Sequence, residues 1–205
     1  SLGVRDEDCV FYLLPTLPQL FVVTMAGLET GITCGANWML KADHWVELIR
    51  ASRAKVVVAL GPTPGYEVWE NLQAVREQLK GVHLFSVKGP GGQVLPDSDL
   101  DLAMAKHPHD RLTFNRAVRP DDVGAYVHSG GTTGAPKLVR LLHRGMAYKC
   151  WANAITNGIL PGDCLFAINP HFHIAGFFGR GILTSAWSAT MVSPGPQGAR
   201  GPNFI

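Results

Sequence analysis

Between His128 and Arg140 the chain reads HSGGTTGAPKLVR. Ser129, Thr132 and Thr133 offer hydroxyl groups, and Lys137 adds a positive charge at the exit. Gly130, Gly131 and Gly134 permit the backbone angles that turn successive N–H groups inward. A concave row of such amides binds anions. Pro136 restricts how far the exit can wander. These residue types together are the ingredients of a polyphosphate cradle. Two common phosphate loops do not fit. The G-x-x-x-x-G-K-[ST] pattern needs Lys directly after Gly and a hydroxyl residue next, but Lys137 follows Pro136 and precedes Leu138. The dinucleotide pattern G-x-G-x-x-G fails because Gly130 and Gly131 are adjacent and no helix is expected to start at the loop. A ligand-free glycine hairpin is the bland alternative; the Pro-Lys pair, set between two strands, argues against it.

A second chemical stretch is Asn169–Gly176, NPHFHIAG. His171 and His173 would share one face if this segment were a strand. A metal site would need further ligands, and the four cysteines, Cys9, Cys34, Cys150 and Cys164, show no C-x-x-C spacing. Metal ligation is therefore the weaker reading of this pair, and on its residues alone His173 has a hydrogen-bonded core histidine beside Phe172 and Phe177 as its structural alternative. His128 either lines the site or is structural. His107 and His109 belong to a solvated loop. Asp6-Glu7-Asp8 and Asp121-Asp122 belong to exposed turns before strands. Phe177, Phe178 and Trp187 follow helical spacing and read as core.

The elements that must position these groups follow from hydrophobic periodicity. Val10–Leu14, Ile32–Gly35, Lys55–Leu60 and Val82–Val87 read as strands, the third being the β-branched run KVVVAL closed by Gly61-Pro62. Between them lie helices at Leu17–Thr30, entered through Pro18 and stopped at Gly31, at Lys41–Ser52, and at Tyr66–Lys80, where Val68, Leu72, Val75 and Leu79 repeat at helical spacing. A loop from Lys88 to Asp101 and a short helix Leu100–Lys106 follow. The second half has strands Val123–Val127, Leu138–Leu142, Cys164–Ile168 and Thr190–Val192, with helices Arg144–Thr156 and Ile174–Ala186. The phosphate loop therefore joins two strands, and no helix dipole faces it. Strand-helix alternation with apolar strands predicts an α/β fold of mostly parallel sheets flanked by helices. The chain divides into segment 1–118 and the loop-bearing segment 119–205.

With 205 residues, 46% hydrophobic and 17% charged, the chain is long enough for a sizeable core and is not of disordered composition. A formal net charge of +2 with scattered Lys and Arg excludes a nucleic-acid footprint. The longest apolar stretch, Leu13–Leu28, is broken by Pro15 and Pro18, so no transmembrane segment is expected. Cysteine usage fits a reducing, cytoplasmic setting, with peripheral membrane association left open. Both ends read as cut from a longer protein.

The string Ser129-Gly-Gly-Thr-Thr-Gly-Ala-Pro-Lys137 resembles the phosphate loop of the acyl-adenylate-forming enzymes, whose pattern is loosely S-G-(G/T)-T-T-G-x-P-K followed by a strand and a Thr-His-like pair. His143 matches that pair and Leu142 replaces its threonine; Leu138 replaces the glycine common after the lysine. Asn169–Gly176 resembles the family's P-x-F-H-x-(A/G)-G segment, and Asn37–Ala59 resembles a stretch common in acyl-CoA synthetases, with Trp38 in place of a proline. The resemblance implies a partial N-terminal domain of an adenylate-forming enzyme. It also implies ATP, Mg2+ and coenzyme A as reactants, and activation of a carboxylic acid, a fatty acid first, to acyl-adenylate and then thioester. Ser129, Gly130, Gly131, Thr132, Thr133, Gly134 and Lys137 would hold ATP phosphates, with Thr132 a contact for Mg2+. Phe172, His173 and Gly176 would border the acyl and CoA pocket, with His173 as its catalytic gate. An aryl- or amino-acid adenylation domain serving a carrier protein, and a non-catalytic nucleotide-binding domain, are the alternatives. The adenine-contacting, ribose-binding and hinge segments and the C-terminal domain with its catalytic lysine are not recognisable. The chain is thus expected to be inactive alone and to need that domain in cis; Lys137 does not take that lysine's role.

Overall fold

The computed structural model describes residues 2–129 and 137–198. Strand β1 (Cys9–Leu13) is buried along its whole length, the mark of a parallel strand covered on both faces. Beside it run β2 (Ile32–Gly35) and β3 (Ala54–Leu60), and β4 (His83–Val87) flanks β3. Strand β5 (Val123–His128) lies against β2, and β6 (Leu138–Leu142) against β5. Among the described residues the order is β4-β3-β1-β2-β5-β6, parallel throughout except for the antiparallel β5–β6 pair. A second, two-stranded parallel sheet joins β7 (Cys164–Phe166) to β8 (Thr190–Val192).

The mostly parallel α/β architecture expected from the sequence is the one observed. Helix α1 (Pro18–Thr30) starts on a proline whose missing N–H is not needed there, and buries Leu20, Val23 and Leu28. Its Gly27 lies so close to Thr33 that an added Cβ would sit 2.8 Å from the threonine Cβ. Helix α2 (Ala42–Ala51) turns Trp45, Val46, Leu48 and Ile49 into the core. Arg116, with its side chain 7% exposed, ties the end of α1 to the approach of β5. Its Nη1 donates to the carbonyls of Gly31 (3.1 Å) and Leu28 (3.4 Å), and its guanidinium lies 3.3 Å from Asp6 Oδ1. That contact satisfies carbonyls a helix end otherwise leaves open.

Two helices differ from their sequence expectation. The expected Tyr66–Lys80 helix is α3 (Val68–Ala74) followed by a 3-10 turn (Arg76–Leu79), with Val75 between them at φ −105° and ψ 10°. Val68, Leu72, Val75 and Leu79 are nonetheless all buried, so the apolar period survives the change in hydrogen bonding. The expected Ile174–Ala186 helix is continuous but opens into a π-helical stretch (Phe177–Ile182) between α6 (Ile174–Gly176) and α7 (Leu183–Ala186). Helix α4 (Leu100–Met104) is capped by Asp99, whose Oδ1 accepts the Leu102 N–H at 2.9 Å, and α5 is His143–Thr156. A second core gathers Ala125, Met146, Cys150, Leu165, Phe177 and Leu183 beneath α5.

Candidate functional site

Strand β5 runs between β2 and β6, and delivers the chain to Ser129. The Ser129 N–H donates to the Lys137 carbonyl at 2.9 Å, which continues the β5–β6 ladder and closes the base of the loop. Ser129 and Lys137 are both exposed at that base. Gly130, Gly131, Thr132, Thr133 and Gly134 lie outside the described residues. The loop joins two antiparallel strands, and the next helix, α5, begins at the far end of β6. The base of the loop thus brings two of the expected phosphate-binding residues together without a helix N-terminus behind them.

The Asn169–Gly176 segment approaches this base from the side. Its first five residues, 169–173, form a turn that leads into α6, not a strand, so the expectation that His171 and His173 share a face does not hold: His171 is buried and His173 exposed. His173 caps α6, its Nδ1 accepting the Ala175 N–H at 3.3 Å. The core-histidine role belongs instead to His171, whose ring lies 5.0 Å from Phe21 and 5.7 Å from Phe177, centroid to centroid. Burial pushes its pKa down to about 4, because a charged ring there would lose its water. Gly176 is buried against the turn's own backbone; a Cβ there would lie 2.6 Å from the Pro170 carbonyl carbon and 2.7 Å from the Asn169 oxygen. The tight turn requires glycine at that point. Among the described residues no group of three or more His, Cys, Asp or Glu side chains is placed to hold a metal.

Phe172 joins the two parts. It stacks on His128 with ring centroids 6.1 Å apart and planes at 19°, and it helps line an apolar cavity of about 310 Å3. The cavity opens just beyond the C-terminal ends of β1, β2 and β3, with Leu14, Trp38, Tyr66, Ile168 and His171 also in its wall. Ligands of open α/β sheets bind outside the carboxyl ends of their strands, and the loop base lies at that same edge. His128 was legible in the sequence only as a neighbour of the loop; its Nε2 accepts the Asn37 N–H at 3.1 Å. His171 was missed as the core histidine, and no sequence signal separates it from His173 two residues later. His143, the match to the family's histidine, stands at the start of α5 with Nε2 buried and without a hydrogen-bond partner. Its charged form is disfavoured first by burial and then by Arg116, with Asp122 and Glu29 opposing.

Among curated proteins, the chain is similar to the marinolic acid–CoA ligase of Pseudoalteromonas sp. (28% identity, 71% of this chain and 22% of that protein). It is also similar to the 2-hydroxy-7-methoxy-5-methyl-1-naphthoate–CoA ligase of Streptomyces carzinostaticus (30% identity, 97% and 38%). Among solved structures it superimposes on a long-chain-fatty-acid–CoA ligase of Archaeoglobus fulgidus with a TM-score of 0.76 (27% identity, 93% of this chain and 36% of that one). The chain therefore spans less than two fifths of each of these relatives. The AMP-binding enzyme family matches residues 1–204, and this chain belongs to it.

Proposed function

We propose that the polypeptide carrying this chain uses ATP to activate a carboxylic acid and passes the acyl group to coenzyme A. In the first half, a carboxylate oxygen attacks the α-phosphorus of ATP and the bond to the β-phosphate bridge breaks, giving acyl-adenylate and pyrophosphate. In the second, the thiol sulfur of coenzyme A attacks the acyl carbon, loses its proton to water, and releases AMP from the thioester. Such chemistry depends on positioning and charge neutralisation more than on covalent help from protein.

The observation that carries this reading is the β5–β6 hairpin closed from Ser129 to Lys137 across a Gly-Gly-Thr-Thr-Gly-Ala-Pro stretch. The hydroxyls of Ser129, Thr132 and Thr133 and the amides of Gly130, Gly131 and Gly134 hold the β- and γ-phosphates. Lys137 offsets charge on the departing pyrophosphate. Mg2+ arrives with ATP, and Thr132 is its candidate contact. Phe172, His173 and Gly176 border the acyl side, where the exposed His173 ring beside the segment's tight turn supports a gating role. Segment 1–118 supplies strands β1 to β4, and segment 119–205 adds β5, β6 and the loop to the same sheet. Turnover requires a C-terminal domain in cis, which matches the small share of each relative that the chain covers.

A fatty acid is the first candidate substrate, supported by the fatty-acid ligase fold match. An aryl acid is the second, supported by relatives named for naphthoate, 4-coumarate and 4-chlorobenzoate. The test is incubation of the full-length polypeptide with ATP, coenzyme A and a panel of fatty and aromatic acids. Acyl-CoA should appear by mass spectrometry together with AMP. Formation of ADP, or acylation of a carrier-protein thiol with none of coenzyme A, would replace this reading.

A further inference from the structure

Three backbone segments meet at one imidazole. His128 is the last residue of β5, immediately before the loop base, and its ring is half-buried. On one side its Nε2 accepts the Asn37 N–H at 3.1 Å. Asn37 is itself fixed: its carbonyl accepts from Trp45 Nε1 at 3.1 Å, and its Oδ1 accepts from the Met39 N–H at 2.9 Å. Trp45 is only 1% exposed, so this turn after β2 is anchored in the main core. On the other side the His128 ring stacks on Phe172, next in the chain to the buried His171. One residue further on, Ser129 makes the hydrogen bond that closes the loop.

We propose that His128 is a positioning residue that registers the base of the loop, at Ser129, against the Phe172–His173 side of the site, with the Asn37 turn as its fixed point. The inference rests on the acid-activation reading for what the two sides bind. Its two contacts divide the work. The Nε2 acceptor fixes the direction in which β5 delivers Ser129, and the ring face fixes Phe172. To accept from Asn37, the ring must be neutral with its proton on Nδ1. Burial disfavours the charged ring, nearby His173 adds to this, and the Ser129 backbone opposes it. An unmet backbone N–H at this depth is costly, so loss of the acceptor displaces the turn or the strand end.

The test uses the full-length polypeptide with three substitutions. His128→Gln keeps an acceptor near the Nε2 position and loses the ring; His128→Phe keeps a flat ring and loses the acceptor; His128→Ala loses both. ATP affinity is read by calorimetry, and the KM values for ATP and acid by acid-dependent pyrophosphate exchange. H128Q should bind ATP within about threefold of the unsubstituted protein but show a raised KM for acid. H128F should keep the acid KM and bind ATP about tenfold more weakly, the scale of one buried hydrogen bond. Nitrogen-15 spectra of the unsubstituted protein should show His128 as the Nδ1–H tautomer. A purely structural role would lower thermal stability in H128Q and H128F while leaving both KM values unchanged, and that result overturns the proposal, as does an Nε2–H tautomer. If the protein binds ATP but exchanges with no acid, the acid-activation reading falls, and the ATP affinities of H128Q and H128F still decide the role of His128. Absence of ATP binding overturns both.

Discussion

Gly176 and Gly145 form a matched pair on which the geometry predicts opposite signs. At Gly176 a Cβ would collide with the Pro170 carbonyl oxygen and lie 2.6 Å from its carbon and 2.7 Å from the Asn169 oxygen. All three atoms are backbone, so no side chain can swing aside. Gly176→Ala must push α6 away from the Asn169–His173 turn. Overpacking of this kind costs about 1–3 kcal/mol, and for a chain of this size each kcal/mol lowers Tm by roughly 2–4 °C. A drop of about 2–12 °C follows from these two ranges. At Gly145, inside α5, a Cβ would meet nothing within 4 Å. Gly145→Ala should stabilise by about 0.5–1 kcal/mol, because alanine loses less backbone entropy on entering a helix. Both variants are melted by circular dichroism under one set of conditions. A Gly176→Ala protein as stable as its parent would refute the tight-turn geometry that sets Phe172 and His173, whatever Gly145→Ala does.

Further outcomes follow from named contacts. Arg116→Ala should lower stability by about 1–3 kcal/mol in urea titration, because it leaves the Leu28 and Gly31 carbonyls at the end of α1 unmet; the exposed Asp6 partner contributes little. His171 has a folded pKa of about 4 against an ordinary imidazole value of roughly 6.5. The unfolded chain therefore binds the proton more readily, and stability that is complete above about pH 6.5 is lost as pH falls towards 4, by on the order of 3 kcal/mol. His171→Phe should flatten that part of the profile, seen as a smaller acid shift in urea midpoint than in the parent; equal shifts would contradict the assignment. Lys137→Ala in the full-length polypeptide should weaken ATP by about tenfold or more, as expected for loss of a charge-assisted phosphate contact, with little change in Tm for so exposed a side chain.

Strand β3 was legible because Val56, Val57 and Val58 leave little choice: β-branched residues in a short run bounded by Gly-Pro form a buried strand. Helix α1 was legible to within one residue, since Pro18 and Gly31 mark its ends by backbone chemistry, and the expected first residue, Leu17, is its N-cap. The same apolar period misled at Val75, where it is shared by an α-helix and the 3-10 turn that follows. It misled again at Phe177–Ile182, where the π-helical stretch keeps Phe177 and Phe178 in the core, and Gly181 packs against the His171 ring. That packing involves residues brought together by the fold, and periodicity carries no record of it. The glycine- and hydroxyl-rich composition from Ser129 to Lys137 was readable, and so was its place between two strands. What joins it to the rest of the site was not readable: the acceptor at His128 depends on Asn37, ninety-one positions away.

A loop at Ser129–Lys137 that serves ATP-dependent activation of a carboxylic acid must support reversal of that first step. The exchange of labelled pyrophosphate into ATP by the full-length polypeptide, with and without each of a set of fatty and aromatic acids, reads that reversal. Exchange should appear only when a suitable acid is present and should fall about tenfold in Lys137→Ala, as expected when a charge-assisted phosphate contact is lost. Exchange with none of the acids, or exchange that needs no acid, would contradict it.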